Sequence, residues 1–256
     1  MKQVKIILFL LYGAMSIQAQ DTKANYTAGI HVAVNLGYWK DSNYSTFNYR
    51  QSGLEYGLYF TRQKKNLIRL QADFSPSTLN TRFSDFFESK HWNGNLWFSY
   101  LFGLGGENDK LQIFLGPEYR LSANIIDWQN LNGWSYLFAH NFNLGSAFNY
   151  QVAEKQRIDA RLSLPLLSDI VRPPYNGYDE AMTSRENNIL KYITVGEWLT
   201  WNKFQAMDFS LTYNYQVQNW LEIRLAYELM IQRVAINDHT WMLGQHQFLL
   251  GSTFKF

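Results

Sequence analysis

The sequence predicts an all-β chain wound as an up-and-down antiparallel transmembrane barrel of about ten strands. Three observations lead there. Apolar residues recur at every second position in successive runs, which is the strand period. No segment after the first turn-rich stretch approaches the roughly 20 consecutive apolar residues that a membrane-crossing helix needs. Aromatics make up 17% of the 256 residues, yet the mean hydropathy is only −0.30. A closed barrel reconciles the last two, because only alternate side chains of each strand meet lipid.

The N-terminus reads as an export signal. Lys2 and Lys5 precede a short apolar run, Ile6 to Tyr12, and small residues follow, with Ala19 at a cleavage position and Ile17 two residues before it. Residues 1–19 are thus expected to be a signal peptide and 20–256 a single barrel domain.

The strands then follow in order. Ile30, Val32, Val34, Leu36 and Tyr38 share one face, with Gly29, His31, Ala33 and Asn35 on the other. Leu54 to Phe60, Ile68 to Phe74, Leu96 to Phe102, Ile113 to Leu121, Phe142 to Tyr150 and Ile158 to Leu166 repeat the alternation. Phe209 to Val217, Leu221 to Ile231 and Phe248 to Phe256 complete ten runs, each near the 9–11 residues or so that a tilted strand spends in hydrocarbon. Ile189 to Trp201 alternates poorly and also fits a helical spacing. Counting it as a strand makes eleven and puts the termini on opposite sides, whereas bacterial barrels are even-numbered. Leu167 to Lys203 is therefore expected to be one long outer loop carrying a short helix; a twelve-strand barrel with an extra hairpin is the alternative. Short links at Arg62–Asn66, Gly103–Lys110, Gln151–Gln156 and Gln218–Trp220 alternate with longer ones at Ser75–His91, Ser122–Gly133, Leu167–Lys203 and Ala235–Gly244. Short periplasmic turns and longer outer loops produce that alternation.

The final strand carries a resemblance. Phe248, Leu250, Phe254 and Phe256 stand at alternate positions and close the chain on Phe, with Ser252 interrupting the apolar face. Together with the export signal and the alternation, this resembles the Gram-negative outer-membrane β-barrel superfamily. The resemblance implies residence in the cell outer membrane, contact with its lipid, and recognition of the Phe256 strand by the barrel assembly machinery. It matches no specific functional family.

If the apolar parity faces lipid, the other parity lines the lumen. It supplies Glu55, Asp73, Glu118, Asp159, Asp208, Glu222 and Glu228, answered by Arg69, Arg120, Arg161, Arg224 and Lys255. Mixed charges in a narrow barrel pair with one another, and small barrels fill with side chains. A largely plugged interior is expected, with Gly57, Gly116, Gly145 and Gly251 leaving room for bulky neighbours. Tyr38, Trp39, Trp92, Trp134, Tyr136, Trp220 and Trp241 sit near strand ends and are expected to form the interfacial aromatic girdles.

Composition excludes several classes. A formal charge of +2 offers no basic surplus for nucleic acid, and the absence of cysteine removes disulfides, thiolate metal sites and cysteine lipidation. The His-x-Ser of outer-membrane phospholipases is absent. Omptin-type proteases activate water with acidic and Asp–His pairs on outer loops. Asp238–His239, and Asp85, Glu88 and His91, are the residue types at hand, but their spacing does not match. No catalytic residue, cofactor or metal is expected. The loop Leu167–Lys203 is the most distinctive segment: Val171-Arg172-Pro173-Pro174-Tyr175 is stiff, and Tyr178, Tyr192, Trp198 and Trp201 add apolar area. Arg172, Tyr175, Tyr178, Trp198 and Trp201 are the candidate partner-binding residues, and a loop capping its own barrel is the other outcome. A non-enzymatic barrel docking a partner is the leading expectation. A narrow conduit for a small or hydrophobic solute and an outer-loop hydrolase follow it.

Overall fold

Alternation of apolar and polar side chains forces strands whose two faces meet different media, and closure into a ring leaves no backbone edge unpaired in lipid. A computed structural model realises this; it describes residues 25–42, 45, 47–81, 89–105, 110–128, 133–172, 196–236 and 239–256. The signal peptide expected over 1–19 lies outside them. The elements are β1 (Asn25–Asp41), β2 (Tyr49–Gln63), β3 (Asn66–Asn80), β4 (Ser89–Gly103), β5 (Leu111–Trp128), β6 (Gly133–Ala153), β7 (Gln156–Val171), β8 (Glu197–Leu199), β9 (Phe204–Gln218), β10 (Leu221–Ile236) and β11 (His239–Lys255).

Ten long strands form a closed antiparallel barrel and β8 is a short addition on β7. Closure comes from β1 pairing with β11, from Thr27↔Lys255 to Asp41↔Trp241. The Phe256 amide also donates to the Tyr26 carbonyl at 3.0 Å. Both described ends therefore lie at one end of the barrel, here the terminal end; the opposite one is the loop end. The outer wall is apolar, with Ile30, Leu58, Leu96, Leu225 and Leu250 all more than half exposed. In water that area would be costly at about 25 cal/mol per Å²; lipid removes the cost.

The strands are longer than expected. β2, β3, β4 and β9 have 15 residues and β6 has 21. Fifteen residues extend roughly 50 Å, more than a tilted strand uses inside about 30 Å of hydrocarbon. The excess lies at the loop end, where the hydrophobic parity changes face. On β11, Phe248 and Leu250 point outward, but Trp241 and Leu243 point inward and are buried. On β5, inward Glu118 and Arg120 give way to inward Ile126 and Trp128. Within Ser122–Gly133 and Ala235–Gly244, expected as longer links, Ser122–Trp128, Gly133, Ala235–Ile236 and His239–Gly244 are strand.

The long loop is corrected as well. β7 continues to Val171, and Glu197–Leu199, expected in a short helix, is strand β8 paired to Ser168–Ile170; residues 189–195 lie outside the described residues. A break in the wall accompanies β8. Pairing of β7 with β9 runs from Gln156↔Tyr215 to Ser163↔Asp208 and stops. Pro165, which has no amide to donate, follows at once, and the β6–β7 register shifts between Phe142 and Asn143.

Candidate functional site

The lumen has three layers. At the loop end the extended strands enclose an apolar plug that includes Trp39, Tyr49, Leu79, Trp128, Ile170, Leu199, Phe204, Val234 and Trp241, all nearly or fully buried. Trp39, Tyr49 and Trp128 pack on one another with ring centroids 5.3–5.7 Å apart. Trp39 and Trp241, expected in the girdle, therefore belong to this interior. Edge positions on the outer wall do carry the others: Trp134 and Trp220 are exposed, Trp92 stacks on Trp134 at 5.6 Å and Trp220 on Phe254 at 6.2 Å.

One ion pair ties the plug across the mouth. Arg172, at the end of β7, donates to Asp41 Oδ1 at 2.8 Å from the end of β1, and both side chains are only 6% exposed. Arg172 is thus a buried clamp and not a free docking group. Trp198 (59% exposed, stacked on Phe142 at 6.1 Å) and Trp201 (47% exposed) stand on the rim. Tyr175 and Tyr178 lie outside the described residues.

The middle layer is polar. Arg120, 1% exposed, donates to both Asp208 oxygens at 2.7 and 2.8 Å and to Asn95 Oδ1, and lies 4.3 Å over the Trp97 ring. Arg161 donates to Glu118 at 2.8 Å, and Ser99 Oγ to the same oxygen at 2.6 Å. Arg69 reaches Gln71 Oε1, and Gln71 in turn donates to Asp73 Oδ2 at 2.8 Å. Arg69 and Arg224 both lie against the ring of Tyr59, at 4.9 and 5.1 Å. Beside Asp73 stand His31 and Glu55, with His31 Nε2 at 3.3 Å from Asp73 Oδ1 and 3.8 Å from Glu55 Oε1.

At the terminal end the lumen widens into a cavity of about 310 Å³ walled by polar residues, among them Asn25, Thr61, Gln112, Asn149 and Asn214. Arg157 pairs with Asp159 at 2.9 Å and Glu222 at 3.4 Å, Lys255 pairs with Glu222 at 2.5 Å, and Arg224 with Glu228 at 3.4 Å. The twelve charges placed on the lumen parity by alternation all lie inside the barrel. Two members went unforeseen. Arg157 lies at the strand's first turn, where alternation gives little signal, and His31, although on the lumen parity, carries no motif around it.

The hydrolase candidates do not converge among the described residues. Asp85, Glu88 and Asp238 lie outside them. His91, expected on a loop, is a fully buried member of β4, within 3.1 Å of both Asn124 Oδ1 and Ser77 Oγ. His239 opens β11 opposite Ile236.

A closed ten-strand barrel with an apolar belt and a polar lumen is the architecture of bacterial outer-membrane β-barrels. No protein-family model and no curated protein matches the sequence. Among solved structures, the outer membrane protease OmpT from Escherichia coli superposes with a TM-score of 0.59 at 9% identity, covering 92% of this chain and 98% of that one. The translocator domain of autotransporter NalP from Neisseria meningitidis follows with a TM-score of 0.47 at 10% identity, over 99% and 96%. Neisserial surface protein A gives 0.38 at 8% identity, over 92% and 98%. At 9% identity the likeness to OmpT is one of fold.

Proposed function

We propose that this chain is a non-enzymatic barrel of the outer membrane, closed at its outer end, that acts by docking a partner protein on its outer rim. The apolar plug carries the reading. It fills the loop end with aromatic and aliphatic side chains, and the Arg172–Asp41 pair clamps it. A solute would have to displace a close-packed core to pass, and packed interiors resist that. What such a barrel presents to other molecules is its rim, where Trp198 and Trp201 leave large aromatic surface exposed. Tryptophan is over-represented among residues that dominate protein interfaces. In this reading the terminal end is periplasmic, and the Phe256 strand serves the assembly machinery.

The test is recovery from detergent-solubilised membranes after cross-linking, comparing the native chain with a Trp198→Ala/Trp201→Ala variant. The expected result is a stoichiometric partner that the double variant loses. A barrel recovered alone, or a partner held equally by both, overturns the proposal.

The wall favours one second reading. Beyond Ser163–Asp208 no described strand pairs with β9 on its β7 side, which leaves a seam beside Leu166 and Leu167, both exposed. A small hydrophobic solute could enter there laterally. Planar-bilayer recording and uptake of an apolar dye separate the readings. The docking barrel gives no steady current and no uptake, whereas a conduit gives uptake that closing the seam abolishes.

A further inference from the structure

We propose that His31, Glu55 and Asp73 form a binding site for one divalent transition-metal ion of zinc type, in the middle of the lumen. This does not rest on the partner-docking reading and stands or falls separately. The register builds the site. His31 on β1 is opposite Gly57 on β2, and Gly57 is opposite Asp73 on β3, so the three form one row across the wall. The outer members of such a row are roughly 9–10 Å apart in backbone. They meet because the middle residue has no side chain: a Cβ on Gly57 would lie 2.2 Å from His31 Nε2 and 2.3 Å from Asp73 Oδ1. Glu55, two residues before Gly57 on the same lumen face, leans in from the side.

The donors converge as ligands do. One atom from each of the three residues falls within 4.8 Å of the others. The closest pair, at 3.3 Å, already has the separation of about 3.3 Å that two ligands have on a tetrahedral ion at roughly 2.05 Å. Each carboxylate is oriented from behind. Gln71 donates to Asp73 Oδ2 and Gln247 to Glu55 Oε2, which turns Oδ1 and Oε1 toward the imidazole. Such outer contacts aim ligands and raise affinity.

Burial supplies an independent sign. The side chains of His31, Glu55 and Asp73 are 0%, 4% and 5% exposed. Neither nitrogen of His31 nor Asp73 Oδ1 makes a hydrogen bond to another protein group, and His31 Nε2 and Asp73 Oδ1 meet only as an ion pair at 3.3 Å. Buried polar groups rarely go unsatisfied, and an imidazole with two carboxylates is a donor set that a divalent cation accepts. One nitrogen with two oxygens suits borderline ions, whereas calcium and magnesium prefer all-oxygen shells. A cavity of about 50 Å³ adjoins the site, bordered by Glu55, Asp73, Asn95, Asp208 and Glu228, and has room for water as a further ligand.

The experiment uses the full barrel in detergent, stripped by a chelator and titrated with Zn²⁺, with bound metal counted by elemental analysis. One ion per folded chain is expected, with His31→Gln and Asp73→Asn each weakening binding at least tenfold. Gly57→Ala should weaken it too, although it keeps every ligand. Magnesium should not compete. Should the variants fail to fold, Co²⁺ loading of the native chain decides: a visible ligand-field band displaced by Zn²⁺ supports the site. No band, no stoichiometric ion, or binding undiminished in His31→Gln overturns it and leaves the cluster a protonated histidine between two carboxylates.

Discussion

At the residue scale, the lumen charges behave as coupled sets and not as independent ornaments. Arg120 is the most committed of them, since its guanidinium serves Asp208 and Asn95 while its plane covers Trp97. Truncation to Ala leaves Asp208 as a buried charge without its partner, a situation that costs about 3–5 kcal/mol. Urea unfolding in detergent should show a loss of that order for Arg120→Ala, and adding Asp208→Asn should recover part of it. A cost unchanged by the second substitution would mean the arginine acts through packing alone. Alternation made these residues legible as inward-facing. It could not pair them, because Arg120 and Asp208 are 88 positions apart and on strands that are not neighbours.

At the element scale, β1, β5, β10 and β11 are each two sequences spliced end to end. Their lipid segments are apolar outward and largely polar inward, and their loop-end segments are apolar inward at Trp39, Ile126, Val234 and Trp241. Charge placed on the outer face should therefore be tolerated according to depth. Val32→Arg, in the belt of β1, should destabilise the barrel by about 2–4 kcal/mol, and Tyr38→Arg, nearer the loop end, by about 0–1 kcal/mol. Equal costs at both positions would place the belt elsewhere. The β7–β9 seam makes a second prediction. Local opening follows missing backbone pairs, so hydrogen exchange over Leu164–Leu167 should be faster than over Ile158–Ser163, which is paired on both sides. Uniform protection along β7 would remove the structural basis for lateral entry.

At the scale of the whole molecule, stability is divided between two media. Lipid holds the belt, and a packed hydrophobic core holds the loop end. Trp39 is fully buried in that core, whereas Trp220 is 55% exposed on the wall. Trp39→Ala should cost about 3–5 kcal/mol, the range of a buried aromatic truncated in a packed core, and Trp220→Ala far less. The comparison is read from unfolding midpoints in the same detergent. It tests directly whether the loop end is a packed core, the property on which the closed-mouth reading depends.

The residues by themselves determined the barrel, its approximate strand number and the side on which each charge lies, because a period of two is local and lipid reports on every other side chain. They also misled where the medium changed. Trp39 and Trp241 look like girdle residues from their place near strand ends, and nothing local records that they point into the lumen instead of outward. Only closure decided that these side chains enter one interior cluster from the neighbouring strands β1 and β11, and that Arg172 meets Asp41. The His31–Gly57–Asp73 row likewise exists only through strand register, which assembles positions 31, 57 and 73 at one height. Periodicity is written along the chain, whereas register and closure are properties of the ring.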